Sequence, residues 1–372
     1  MKYVCNENMC TGCMACVDKC PVNAIGIIDN KRAYNAVINE SVCIECGICE
    51  RVCQNIFPIE SKKPINWYQG WTLDQMIRKS SSSGGVATEI IKSFLKREGI
   101  VCSCMFDKGE FCFKLVDDIS NANIFAGSKY VKSNPKGVYK VIQDRLKNGN
   151  KVLFIGLPCQ VAGVKKYVGS KLLDELYTID LICHGTPSPK LLDIFLEQYN
   201  TTLKDVENIT FREKNHYKLV KNYKPLTPNG IVDRYTYSFL KGINYTDNCY
   251  HCQFAKTERI SDLTIGDSWG SNLPKSEQRR GISLILCQTE KGKKLLQISN
   301  LQLENVDSHV AIQHNKQLQE PVKVPENREK FFTLLEKQCS YNNVMFRCYP
   351  KVFIKQNIKN VLIIMKIFRE RD

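Results

Sequence analysis

The chain has no run of eighteen uninterrupted apolar residues among its 372, which excludes an obvious membrane-spanning helix. Its opening residues, MKYVCNENMC, hold no apolar stretch and no small-residue cleavage site, so export is not expected. A basic tail and a known nucleic-acid-binding motif are also missing, and the expectation is no nucleic-acid partner. Hydrophobic residues make up 43% and charged residues 24%, ordinary values for a globular protein with a sizeable core. Disulfide staples are therefore not needed to hold the chain together.

What is abundant is cysteine, with nineteen residues. An odd number cannot all pair as disulfides, and without an export signal the expected compartment is the reducing cytoplasm. The first run, CTGCMACVDKCP, holds Cys10, Cys13, Cys16 and Cys20 ahead of Pro21. A second, CIECGICERVC, repeats the spacing with Cys43, Cys46, Cys49 and Cys53. In such loops three thiolates reach three corners of one four-iron cluster, and the fourth cysteine serves the other cluster. The spacing thus predicts one [4Fe-4S] cluster on Cys10, Cys13, Cys16 and Cys53, and a second on Cys43, Cys46, Cys49 and Cys20. Zinc also uses four-cysteine sites, but this run occurring twice favours iron. Gly12 and Gly47 give the loops room. Gln54 follows Cys53 where proline is common, a departure that reads as minor, and Cys5 lies outside the spacing as a structural thiol.

The formal net charge of +15 overstates the basic balance, because a four-iron cluster with its thiolates carries roughly −2. The surplus suits an acidic electron carrier such as a ferredoxin.

Residues 1–57 read as a two-cluster ferredoxin domain, with a strand–turn–strand insert around Asp29. Residues 58–69 read as a linker. From residue 70, strand, loop and helix alternate, which predicts an α/β domain with a mainly parallel or mixed sheet over 70–300. Residues 301–372 form a C-terminal helical extension. The fold class is α+β. The closing stretch VLIIMKIFRERD is expected to pack as a terminal helix, with peripheral membrane contact as the alternative.

Three further features carry possible chemistry. SSSGG, residues 81–85, opens a helix, and such a turn presents backbone N–H groups suited to a phosphate; a serine cap without ligand is the plainer reading. Cys159 and Cys183 follow predicted parallel strands, where functional crevices form. With Cys249 and Cys252 of CYHC they can make a third tetrathiolate site; zinc, or simple packing of free thiols, are the other readings. Cys102, Cys104, Cys112, Cys287, Cys339 and Cys348 read as packing residues.

The ordered set of the twin cysteine runs, SSSGG, GSKYVKS (127–133), GLPCQ, ICHG, FREK (211–214), CYHCQF and DLTIGDSWG resembles the family of coenzyme F420 hydrogenase/dehydrogenase beta subunits over nearly the whole chain. The resemblance implies an iron–sulfur oxidoreductase with FAD in the α/β domain. It implies flavin contacts at Ser82, Ser83, Gly84, Gly85 and Thr88, and at Ser128, Lys129 and Tyr130, with Lys129 near a pyrophosphate. It also raises the third [4Fe-4S] cluster on Cys159, Cys183, Cys249 and Cys252. The expected function passes single electrons from a ferredoxin-type carrier through the clusters to FAD, then a hydride to or from a small organic substrate or coenzyme F420. The alternative is an electron-transfer subunit of a larger complex with no substrate of its own. His184 and Lys214 are the candidate catalytic residues. Leu157 stands where related sequences carry a small polar residue, which bears on deazaflavin use.

Overall fold

The computed structural model describes residues 1–365 apart from 98, 215 and 229. The end of the closing stretch read as a possible membrane contact, residues 366–372, lies outside the described residues. No helix among those described is long and apolar enough to cross a membrane.

The N-terminal unit is a small antiparallel sheet with two short helices. Strands Ile25–Asp29 and Tyr34–Ile38 form the expected hairpin, and Lys2–Tyr3 adds an edge. Each cysteine run threads a loop into a helix, Ala15–Lys19 in one and Ile48–Arg51 in the other. Both loops turn left-handed at two equivalent positions. In the first run these are Gly12 (φ +68°) and Met14 (φ 63°), in the second Glu45 (φ 54°) and Gly47 (φ +66°). Each run thus has glycine at one position only, and Met14 and Glu45 each accept a conformation costing a side-chain-bearing residue about 1 kcal/mol. The wrapped loop, not glycine alone, dictates the path.

The body is an eight-stranded sheet in the order 301–305, 66–72, 283–287, 263–267, 176–181, 152–156, 100–107, 110–116. Its four central strands, Leu263–Asp267, Leu176–Leu181, Val152–Gly156 and Ile100–Asp107, run parallel, while every pair outside them is antiparallel. The sheet is therefore mixed. Local alternation of strand and helix reveals the parallel centre, but the flanks come from distant segments. One of them, Asn66–Thr72, starts inside the stretch read as a linker and pairs with Ser283–Cys287 and Leu301–Asn305.

One hydrophobic cluster crosses the boundary drawn at residue 57. Val4, Ala15, Ile38 and Val52 of the N-terminal unit share it with Tyr139, Phe154, Val161 and Val164. The close approach is made at Gly163, where an added Cβ would stand 3.1 Å from Cys13 Cβ. A second cluster joins helices Pro189–Glu197 and Arg234–Leu240 to the C-terminal helices Arg328–Glu336 and Tyr341–Cys348. Both ends of the chain are thereby packed onto the sheet domain by apolar burial.

Candidate redox site

The structure places four thiols of the two cysteine runs around one small cavity. Cys10, Cys13, Cys16 and Cys53 line one small cavity, and Cys20 does not. The thiols sit among backbone N–H groups: Gly12 donates to Cys10 Sγ at 3.4 Å, Ala24 to Cys20 Sγ at 3.2 Å and Glu45 to Cys43 Sγ at 3.5 Å. Such donors stabilise thiolate charge. Cys46 is exposed, and beside it Ile44 is 60% exposed, so the second run forms the solvent-facing end. Cys5, read as structural, lines the same cavity as the first set and accepts from Asn55 Nδ2 at 3.7 Å.

Cys159, Cys183, Cys249 and Cys252 come together around a second cavity, of about 480 Å³. Cys159 sits in the first turn of helix Pro158–Val168, just beyond strand Val152–Gly156. Cys183 follows the neighbouring strand Leu176–Leu181, and the other two belong to the turn around Asp247–His251. Thr246 Oγ1 lies 3.5 Å from Cys249 Sγ. Burial pushes the Cys159 thiol well up and Cys183 to about 12, with neighbouring thiols adding to the effect. All nineteen cysteines are free thiols. Among the described residues no three His, Cys, Asp or Glu side chains gather as a single metal ion needs.

Two side chains to which the sequence gave no role in binding hold this region. Gln54, 1% exposed, donates to Thr11 Oγ1 at 2.9 Å and to the Cys159 carbonyl at 2.8 Å. Its own carbonyl accepts from Gln253, next to Cys252, at 3.3 Å. The residue after Cys53 is thus a bridge between the two thiol sets, and the departure from proline is not minor. Arg259, also buried, pairs with Asp180 at 3.1 Å and donates to the carbonyls of Phe254 and Leu181.

A third cavity, of about 420 Å³, lies beyond the carboxyl ends of the parallel strands, as such folds favour. Ser82, Ser83, Gly85, Thr88, Ser128, Lys129 and Tyr130 line it, and Gly84 does not. Gly84 is wedged against the sheet: a Cβ there would lie 2.5 Å from the Gly70 carbonyl, and its N–H donates to Ser283 Oγ at 3.1 Å. Its glycine is required by packing. Gly85 (φ +80°) opens helix Val86–Leu95 with no side-chain cap, and first-turn residues Val86, Ala87 and Thr88 face the cavity. Ser82 Oγ accepts from the Ser128 N–H at 3.2 Å, joining the two motifs. The Lys129 ammonium donates to the Phe125 and Ala126 carbonyls, and burial pulls its pKa down. An uncapped helix start, hydroxyls and a buried ammonium on one wall fit a phosphate-bearing cofactor.

Lys214 is not in that wall. Its ammonium donates to the carbonyls of Arg78 and Ser83, holding the serine loop from behind. Burial, with Arg78, Arg212 and Arg280 nearby, lowers its pKa to about 8. His184 lines both larger cavities, and burial lowers its pKa. In the lining of the same cavity, Arg212 and Asp267 form a two-pronged ion pair at 2.6 and 2.9 Å, with Tyr217 and Trp269 against the guanidinium. FREK and DLTIGDSWG contain these partners, but only the fold shows that they meet.

The three cavities form a row. The first and second share Cys5, Thr11 and Asn55; the second and third share Leu157, Cys183, His184, Gly185 and Thr186.

Known proteins resemble two parts of this chain. Residues 9–55 match the 4Fe-4S dicluster domain, and residues 149–308 match the family described as the C terminus of the coenzyme F420 hydrogenase/dehydrogenase beta subunit. The F component of the F(420)H(2) dehydrogenase of Methanosarcina mazei, named as one of its subunits, is 21% identical over 293 residues, 74% of this chain and 81% of that protein. The chloroplastic 7-hydroxymethyl chlorophyll a reductase of Oryza sativa subsp. japonica is 25% identical over 164 residues, 42% of this chain and 32% of the rice protein. A chain of the F420-reducing [NiFe] hydrogenase complex from Methanosarcina barkeri superposes with a TM-score of 0.49 at 17% identity, covering 70% of this chain and 91% of that one. Residues 149–308 thus belong with the C-terminal part of the coenzyme F420 hydrogenase/dehydrogenase beta subunits, an oxidoreductase family, and residues 9–55 with the 4Fe-4S dicluster domains.

Proposed function

We propose that the chain is an iron–sulfur flavoprotein oxidoreductase, taking electrons at its N-terminal thiol runs and using them at the serine-lined cavity. The observation that carries this proposal is the row of three cavities, each sharing wall residues with the next. Bound clusters would supply one-electron transfer, and bound FAD would supply the exchange between single electrons and a hydride.

The chain's own residues hold and orient. Cys10, Cys13, Cys16 and Cys53 would ligate one cluster, Cys43, Cys46, Cys49 and Cys20 the second, and Cys159, Cys183, Cys249 and Cys252 a third. The helix start at Gly85, with Ser82, Ser83, Thr88 and Lys129, would receive the phosphates of FAD, and Ser128 and Tyr130 flank them. Gly84 acts by letting the loop lie against the sheet. His184 is mainly neutral at pH 7 because its pKa is lowered, so it can accept or donate a hydrogen bond between the two cavities and exchange a proton there. Lys214 fixes the serine loop rather than reaching a substrate.

The acceptor is a small organic molecule or coenzyme F420; the name of the M. mazei relative supports the latter. The basic balance of the chain supports an acidic carrier such as a ferredoxin, and its entry point is the exposed edge at Cys46. Placement in the cytoplasm belongs to the same proposal, since thiols in this number persist where disulfides are kept reduced.

Anaerobic purification with iron, sulfide and flavin analysis tests it. About twelve irons and one FAD per chain are expected from three four-iron clusters. About eight irons and no flavin would overturn the flavoenzyme reading. A second reading, an electron-transfer subunit with no substrate of its own, is favoured by the relative's being named as a subunit. Turnover of a small acceptor by the isolated, reconstituted chain separates the two.

A further inference from the structure

Lys132 is 4% exposed, yet among the described residues no carboxylate lies within ion-pair distance of it. Its ammonium donates to the carbonyl of Thr11, in the first cysteine loop, at 3.1 Å, and lies 5.2 Å from the centre of the Tyr34 ring. Its backbone N–H donates to the Pro187 carbonyl at 2.9 Å, four residues beyond Cys183. The side chain lines the cavity of Cys159, Cys183, Cys249 and Cys252. Gly12 leaves the space it occupies: a Cβ there would come 3.3 Å from Lys132 Cδ and 2.4 Å from the Tyr34 ring.

A buried ammonium with one carbonyl and one aromatic ring for company is costly unless negative charge stands nearby. Protonated thiols do not supply it. A four-iron cluster on four thiolates does, with roughly two negative charges when oxidised and about one more when reduced. The lysine sits between the first cysteine loop and the second cavity, where an electron leaving the N-terminal pair would next arrive.

We propose that Lys132 is the counter-charge of the Cys159–Cys183–Cys249–Cys252 site, raising that site's reduction potential so that it draws electrons from the N-terminal clusters. This rests on the proposed third cluster. Each one-electron reduction adds one negative charge to the site, and a fixed positive charge beside it stabilises the reduced form more than the oxidised one. No proton needs to move. Lys132 is thus a tuning residue that acts through the cluster.

The test is a redox titration of the anaerobically reconstituted full chain, following each cluster by its electron paramagnetic resonance signal. Lys132→Gln keeps a donor for the Thr11 carbonyl and removes the charge; Lys132→Met removes both; Lys132→Arg keeps the charge; Lys136→Met, at an exposed neighbour, is the control. The expected result is that the two neutral variants retain wild-type iron and move one midpoint to lower potential, whereas the arginine and control variants leave all midpoints in place. A neutral variant that loses about four irons and no more also supports the role, because the anionic site then depends on the cation. Unchanged midpoints in Lys132→Gln at full iron content overturn it. If neither neutral variant binds iron, Lys132→Arg decides, and its failure to restore iron overturns the proposal. A wild-type chain with about eight irons instead removes the third cluster itself, a failure of the underlying reading that the iron count alone identifies.

Discussion

Arg259 and Asp180 form an ion pair almost wholly out of solvent, at 3.1 Å, and it locks together the two segments that carry Cys252 and Cys183. Asp180 belongs to strand Leu176–Leu181, which leads to Cys183. Arg259 follows the Cys252 loop and returns to it by donating to the Phe254 carbonyl at 2.7 Å. Breaking one side of such a pair leaves a buried charge alone, at a cost of about 3–5 kcal/mol. Arg259→Met should therefore lower unfolding free energy by that order in denaturant titration, and should reduce iron content by about one cluster's worth. Asp180→Asn should do the same, and the double variant should cost less than the two singles together.

Gln54 joins Cys53 to the Cys159 backbone through one side-chain amide. Gln54→Leu removes both of its donated bonds and should cost about 1–3 kcal/mol. Iron content should stay at the wild-type level, because no ligand is touched. In stopped-flow reduction, the N-terminal clusters should fill at the wild-type rate while the onward step slows. Wild-type kinetics in both phases would show that the bridge is only structural.

Crossed ligation makes a prediction about pairs of cysteines. Cys20→Ser combined with Cys46→Ser removes two ligands of one cluster and should cost about four irons, the same as either alone. Cys20→Ser combined with Cys13→Ser should cost about eight, since it strikes both clusters. The reversed pattern by iron analysis, about eight lost from the first double variant and about four from the second, would show that each run serves its own cluster.

Lys214 gives a pH dependence with a worked sign. Its pKa is lowered to about 8 from the ordinary 10.5, by burial first and by Arg78, Arg212 and Arg280 after it. Between those values the unfolded chain holds a proton that the folded chain has released, so Lys214 makes folding more favourable as pH rises. Flavin retention should move the other way. The positive charge behind the serine loop begins to disappear at about pH 8, and attraction for an anionic cofactor weakens with it. Fluorescence titration with FAD should show affinity falling above that pH in the wild type and a flatter profile in Lys214→Met.

Much of the electron-transfer half was legible because the information is local. Cys10 to Cys20 and Cys43 to Cys53 lie within single loops, where residue spacing sets the geometry and a repeated spacing names the ligand. The helix opened by Gly85 was legible for the same reason. Other features were not. Gln54 looked like a lapse from proline until the fold put Cys159 against it. Gly84, implied as a flavin contact, serves the sheet beside Gly70 and Ser283. Lys214, a candidate catalytic residue by sequence, donates to the Ser83 carbonyl and so holds the serine loop. Asn66–Thr72 looked like a linker because its partners lie more than two hundred residues away.

The amino-acid sequence by itself determined the twin iron–sulfur loops and the α/β character that follows, since each depends on contacts a few residues apart or on a periodic pattern. Tertiary structure decided between the open readings of Cys159, Cys183, Cys249 and Cys252 by gathering them around one cavity. It also decided that Lys132 is buried beside them and that the three cavities adjoin. Those are consequences of packing distant strand ends against one another, and no spacing along the chain encodes them.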